Sequence, residues 1–178
     1  MISTSFIRAV LLLGLVPTLG CSPGPGYVTA RWESLGTPIK VRVLRLSELH
    51  GGVVPGAYYR FEAALEGLSD WHEVMTFRHD DPVEIPKDQF RVINARLAYA
   101  FMGWMYAVTT DGGRTWSVWD AGVDLPDWKC CNYGLIRDVE LNPSGAGLMR
   151  LQVIRGRPGE VPELSTADFG RHWKPRGG

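Results

Sequence analysis

Apolar and polar residues alternate with a period of two in several short stretches of the chain. The stretch 39–46 shows it most cleanly, with Val41, Val43 and Arg45 set against Arg42, Leu44 and Leu46. Successive side chains of a strand point to opposite faces, so this alternation predicts half-buried β-strands. The same reasoning places strands at 27–32, 58–65 and 71–78, with a turn over Glu66–Asp70 joining the last two. Residues 90–108 are the most apolar part beyond the N-terminal leader and too long for one strand. Gly103 offers a turn, which gives strands at about 90–94, 96–102 and 104–109; a helix over 90–100 is the competing reading. Further strands are expected from Trp116 to Trp119, then at 136–141, 147–154 and 163–166. Glycine and proline mark the breaks at 51–56, 80–86 and 155–162. The pattern predicts an all-β fold of antiparallel twisted sheets, either a sandwich or a partial, propeller-blade-like arrangement.

The first 20 residues break the period. Arg8 precedes a short apolar run, and Pro17 and Gly20-Cys21 close it. A positive start, a brief apolar core and small residues at a cut site describe a secretory signal peptide. The run is too short to span a bilayer. A buried N-terminal helix is the alternative, but the segment offers no polar face. Thr18-Leu19-Gly20-Cys21 resembles the lipobox of bacterial lipoproteins at Gly20 and Cys21 and departs from it at Thr18 and Leu19. The resemblance implies cleavage before Cys21, lipidation of Cys21 and, with Ser22 following, the periplasmic face of the outer membrane. Residues 21–26, rich in Pro and Gly, then form a flexible tether, and 27–178 a single β-rich domain. Of the three cysteines, lipidation accounts for Cys21 and leaves the adjacent pair Cys130 and Cys131. In an oxidising compartment these two form a vicinal disulfide or stay as thiols; their spacing does not suit zinc.

Two segments share one pattern. Thr109-Thr-Asp111-Gly-Gly113-Arg-Thr115-Trp116 and Thr166-Ala-Asp168-Phe-Gly170-Arg-His172-Trp173 both read Thr-x-Asp-x-Gly-x-x-Trp. An Asp carboxylate at this position accepts backbone N–H groups of a tight turn. The glycines supply left-handed backbone angles, and the tryptophans open the return strand with large apolar area. The motif resembles the Asp-box of bacterial neuraminidase repeats, with His172 standing where Thr is usual. The resemblance implies two stapled β-hairpins with a structural role, away from any active site.

Composition narrows the rest. Formal net charge is zero, so the chain lacks the basic footprint of a nucleic-acid binder. No nucleophile elbow, zinc-protease helix, phosphate loop or dinucleotide fingerprint occurs. His72 and His79 stand an odd number of residues apart, which places them on opposite faces of one strand and makes a poor metal pair. Asp120, Asp124 and Asp127 lack calcium-loop spacing. Trp104, Trp119, Trp128 and Tyr133 form either an exposed aromatic patch or core and turn packing. No catalytic centre, cofactor or metal is expected.

The layout as a whole — lipobox, strand-rich body, WMYAVTTDGGRTWSVWDA, YGLIRDVELNPSGAGLMRL and LSTADFGRHWKP — resembles the lipoproteins that serve as immunity proteins for type VI secretion lipase effectors. That resemblance implies a membrane-anchored, non-catalytic binding protein with a secreted phospholipase as partner. Asp127, Trp128 and Tyr133, in the loop that holds the cysteine pair, are the candidate binding residues. An envelope assembly or accessory factor and a degenerate glycan-binding module are the alternatives.

Overall fold

The computed structural model describes residues 27–31, 38–46, 57–79, 87–125, 133–153 and 162–176. Twelve strands lie within them, in three antiparallel sheets of four. Sheet 1 holds β1 (Tyr27–Arg31), β2 (Ile39–Leu46), β3 (Ala57–Leu65) and β4 (His72–His79). Sheet 2 holds β5 (Phe90–Val92), β6 (Ala98–Met102), β7 (Met105–Thr109) and β8 (Ser117–Asp120). Sheet 3 holds β9 (Tyr133–Leu141), β10 (Gly147–Val153), β11 (Glu163–Thr166) and β12 (Lys174–Pro175). Strands are neighbours in chain order in every sheet, so each sheet is a simple meander. The protein is all-β and antiparallel, with no closed barrel.

The three sheets stack in layers with sheet 2 in the middle. All five residues of β6 are buried, and its period of two divides them between two cores. Ala98, Ala100 and Met102, with Ala107 of β7, face Val41, Tyr59, Phe61 and Phe77 of sheet 1. Tyr99 and Phe101, with Tyr106 of β7, face Ile136, Val139, Met149 and Leu151 of sheet 3. Small residues meet aromatic ones on one side, and aromatic residues meet aliphatic ones on the other. Such size complementarity lets the facing residues of both layers pack closely. Two buried tyrosines also tie sheet 2 to sheet 3: Tyr99 Oη donates to Val139 O (2.7 Å) and Tyr106 Oη to Phe169 O (3.1 Å).

The outward faces of sheets 1 and 3 carry charge instead. On sheet 1, the buried Glu62 lies 2.6 Å from Arg42 Nε and 2.8 Å from Arg60 Nε. On sheet 3, Arg150 meets Asp138 (3.2 Å), Glu140 (2.5 Å) and Glu163 (3.3 Å). Polar outer faces of this kind end a stack of layers, because they offer a further sheet little apolar area to bury.

Several sequence expectations change. The competing helix over 90–100 is excluded, since β5 and β6 pair antiparallel across a turn at 93–97. The region after Trp119 contains α1 (Ala121–Asp124), capped by Asp120, whose Oδ1 accepts from Gly122 N (2.7 Å). Asp124 Oδ2 in turn accepts from Asp120 N (3.0 Å), so both carboxylates serve the helix end. The odd-spacing argument for His72 and His79 fails. Phe61 pairs with Met75 but Glu62 with Glu73, so Val74 is an extra residue that restores parity. Both histidines stand opposite the Ala63 and Ala57 column, at opposite ends of β4. Their separation along the strand, roughly 20 Å, is what keeps them apart. Trp119 is buried in the core between sheets 2 and 3, and Trp104 packs partly buried against it, so these two belong to packing.

Strand directions give the stack two unlike rims. The β3–β4, β5–β6, β7–β8, β9–β10 and β11–β12 turns all fall at one rim. Contacts between sheets show it: a Cβ on Gly113 falls against Ile39, and Arg171 Nη2 donates to Thr110 Oγ1 (3.1 Å). Tyr27 pairs with Leu46, at the far end of β2, and therefore lies at the opposite rim. Tyr133 of β9 lies there too, beside Val153. Among the described residues no helix is long and apolar enough to cross a membrane.

Candidate functional site

The two repeated segments form equivalent corners, each between the third and fourth strand of its sheet. In the first, β7 ends at Thr109, whose hydroxyl donates to Asp111 Oδ1 (2.9 Å) and accepts from Gly113 N (2.8 Å). Asp111 Oδ1 also accepts from Arg114 N and Thr115 N, both at 3.0 Å, and Oδ2 from Thr115 Oγ1 (2.6 Å). In the second, Thr166 Oγ1 donates to Asp168 Oδ1 (2.7 Å) and accepts from Gly170 N (3.0 Å). His172 N donates to Asp168 Oδ1 (3.1 Å), and the His172 ring nitrogen Nδ1 lies 2.6 Å from Oδ2. The imidazole thus replaces the Thr115 hydroxyl atom for atom, which explains why the second copy tolerates histidine.

These bonds govern the carboxyls. Burial pushes the Asp111 carboxyl up, but the Thr115 hydroxyl and amide, the Thr109 hydroxyl and the Arg114 amide outweigh it and hold the group at about 2. Burial likewise opposes ionisation of Asp168, and His172 and Thr166 overcome it, again leaving it at about 2. Both groups are therefore anions that face their own loops. Burial raises the Tyr106 hydroxyl, with Tyr99 and Asp168 adding to the effect, so it stays a neutral donor.

The corners also lock one sheet to the sheet before it, which goes beyond the hairpin staple expected from the motif. Trp116 leaves sheet 2 and stands edge-on to Phe61 of sheet 1 (5.7 Å, 77°). Trp173 leaves sheet 3 and stands edge-on to Tyr106 of sheet 2 (5.4 Å, 86°). The motif glycines press the same way. A Cβ on Gly113 falls 2.9 Å from Ile39, and one on Gly170 falls 2.6 Å from Tyr106. The tryptophans pack into the layers between sheets. Their buried indole N–H groups find no acceptor among the described residues. Sheet 1 has Trp71 just after its own third-to-fourth-strand turn. With no sheet before it, that ring is covered by Arg42, whose guanidinium carbon lies 4.3 Å from the ring centre.

The remaining candidates are not brought together. Cys21, Asp127, Trp128, Cys130 and Cys131 lie outside the described residues; Tyr133 opens β9, but its side chain is not described. Among the described residues no group of three or more His, Cys, Asp or Glu could hold a metal ion. The Asp168–His172 pair has the orientation of a general base, yet no nucleophile is hydrogen-bonded to His172 among the described residues. It lines a shallow depression of about 480 Å³ with Ser165, Thr166 and Lys174. A second cleft, of about 510 Å³, runs between sheets 2 and 3 past Arg91, Tyr99, Glu140 and Asn142.

Sequence reasoning missed the inter-sheet tyrosines and the Arg42–Glu62–Arg60 and Arg150 clusters. Alternation alone marks such residues as facing in or out without showing who faces them. It also missed Asn94, whose Oδ1 accepts from Arg96 N and Leu97 N (both 2.9 Å) to hold the β5–β6 turn. Asn in a turn was the available signal.

Fold and corners together define an all-β protein of three stacked meanders, two of them closed by the same Thr-Asp-Gly-Trp corner. No protein-family model matches the chain, and no curated protein or solved structure is significantly similar to it.

Proposed function

We propose that this chain is a lipid-anchored envelope protein that acts by binding, as an immunity protein that neutralises a type VI secretion lipase effector at the periplasmic face of the outer membrane. The observation that carries the non-catalytic part is that the Asp111 and Asp168 carboxylates are engaged by their own loops. A carboxylate whose lone pairs are taken by its own turn is a structural group, not an acid or base for a substrate. A middle sheet buried on both faces supports the same reading, because a rigid scaffold presents a binding surface at low ordering cost. Anchoring at Cys21 would hold the protein where a phospholipase acts and raise its effective concentration. The loop with Asp127, Trp128 and Tyr133 is the proposed contact; Leu125 and Tyr133, which bracket it, both lie at the rim of Tyr27, the described residue next after Cys21 in the chain.

The test asks whether a lipase gene lies beside this one and, with that lipase purified, whether the full chain co-purifies with it and blocks its activity on phospholipid vesicles. Stable association with loss of lipase activity is expected, and the triple change Asp127→Ala, Trp128→Ala, Tyr133→Ala is expected to abolish both without shifting thermal unfolding. Full lipase activity in the presence of excess protein rejects the reading. The depression beside Asp168, whose polar side chains include Ser165, His172 and Lys174, favours a degenerate glycan-binding module as second reading; binding on a glycan array separates the two.

A further inference from the structure

Arg114 and Arg171 occupy the same place in the two corners, directly after the motif glycine. Arg114 Nη1 donates to Asp111 O (2.9 Å), and Arg171 Nη2 reaches across from sheet 3 to Thr110 Oγ1 (3.1 Å). Thr110 and Asp111 are consecutive, so guanidinium groups from two different sheets meet over one corner. Arg96, also exposed, joins them through its carbonyl, which accepts from Gly112 N (2.9 Å). Arg42, Arg91, Arg150 and Arg176 each face a carboxylate. Among the described residues Arg96, Arg114 and Arg171 face none. The acids of the two motifs, Asp111 and Asp168, turn their oxygens into their own loops. Three arginines over two such acids leave the corner net positive.

We propose that Arg114 and Arg171 form a docking site for an acidic, Asp- or Glu-bearing segment of a partner protein. Each guanidinium is already held by a neutral oxygen. It keeps free N–H groups for a carboxylate and gives up little motion when one binds. The choice of a protein over an anionic membrane rests on the anchoring proposed above. Tyr27, the first described residue after Cys21, stands on the rim opposite the corners, so an anchor at Cys21 attaches on the side away from the arginines.

The experiment titrates the full-length chain, labelled at arginine, with an acetylated and amidated hexaglutamate peptide and follows the Nε–Hε signals. Saturable shifts at Arg114 and Arg171 are expected. The double change Arg114→Gln, Arg171→Gln should weaken binding by at least about ten-fold and leave the thermal midpoint in place. Arg114→Lys with Arg171→Lys keeps both charges but loses the fork, so its affinity should fall between the two; it also gives the reading if the glutamine pair fails to fold. Unmoved arginine signals, or equal affinity in wild type and variants, overturn the proposal. So does a glutamine pair that releases the protein from phosphatidylglycerol vesicles, since the corner then faces lipid. Cys21→Ser tests the anchor separately: protein that stays on membranes removes the orientation argument, while the peptide titration still decides the site.

Discussion

Gly67 and Gly170 share one backbone conformation, φ +82° and +80°, in very different surroundings. A Cβ on Gly67 meets nothing within 4 Å, whereas one on Gly170 lands 2.6–2.7 Å from the ring of the fully buried Tyr106. Gly67→Ala is therefore expected to cost about 1 kcal/mol, the left-handed conformation alone. Gly170→Ala should cost about 1–3 kcal/mol more, for overpacking against a ring that has no room to move. Urea unfolding of the two variants checks this, and equal losses would show that the corner does not press on sheet 2. Phe169 makes the same point from the other side. It holds φ +66° without being glycine, where the first corner has Gly112. Its ring lies about 3.0 Å from where a Gly145 Cβ would stand, so packing on the β9–β10 turn compensates the strain. The sequence marked the glycines, since turn chemistry is local. It gave no sign that Phe169 would follow them, because the compensating partner lies on another turn.

At the level of the corner hairpins, acid is the informative variable. Asp111 and Asp168 are depressed from the ordinary 3.8 to about 2. A carboxyl lowered on folding contributes stability that is complete above its unfolded value and is lost as pH falls through its folded value. The corners should hold at pH 5 and weaken progressively between about pH 4 and about pH 2. Asp111→Asn with Asp168→Asn should be less stable than wild type at neutral pH and show a flatter decline below pH 4. Urea midpoints across the pH series give the answer; parallel curves would mean that other carboxyls control acid unfolding. The sequence marked both corners and the Asp carboxylates that accept loop amides, because each closes within eight positions, but not the bonds made by the Thr109, Thr115, Thr166 and His172 side chains. The short elements were not legible either. The α1 turn depends on the Asp120 cap, and the two residues of β12 are strand only because Leu164 and Ser165 lie beside them.

For the molecule as a whole, the decisive feature is a central sheet covered on both sides. Amides in β6 and β7 should exchange with solvent slowest of all, near the rate of global unfolding, while those of β1 and β12, at sheet edges, exchange first. Hydrogen exchange read by mass spectrometry tests this, and protection centred on sheet 1 or sheet 3 would contradict the layer order. The sequence determined that the chain is all-β, where nearly every strand lies and which turns are stapled, since a period of two and turn chemistry act between residues close in the chain. Only the tertiary structure decided that there are three sheets, that the alanines of β6 face sheet 1 while its Tyr99 and Phe101 face sheet 3, and that Arg171 crosses to the other corner. Alternation assigns a residue to a face but is silent on which sheet covers that face, and a single extra residue such as Val74 inverts the assignment. Those choices are made by side-chain volumes and charges that meet only when distant strands are stacked.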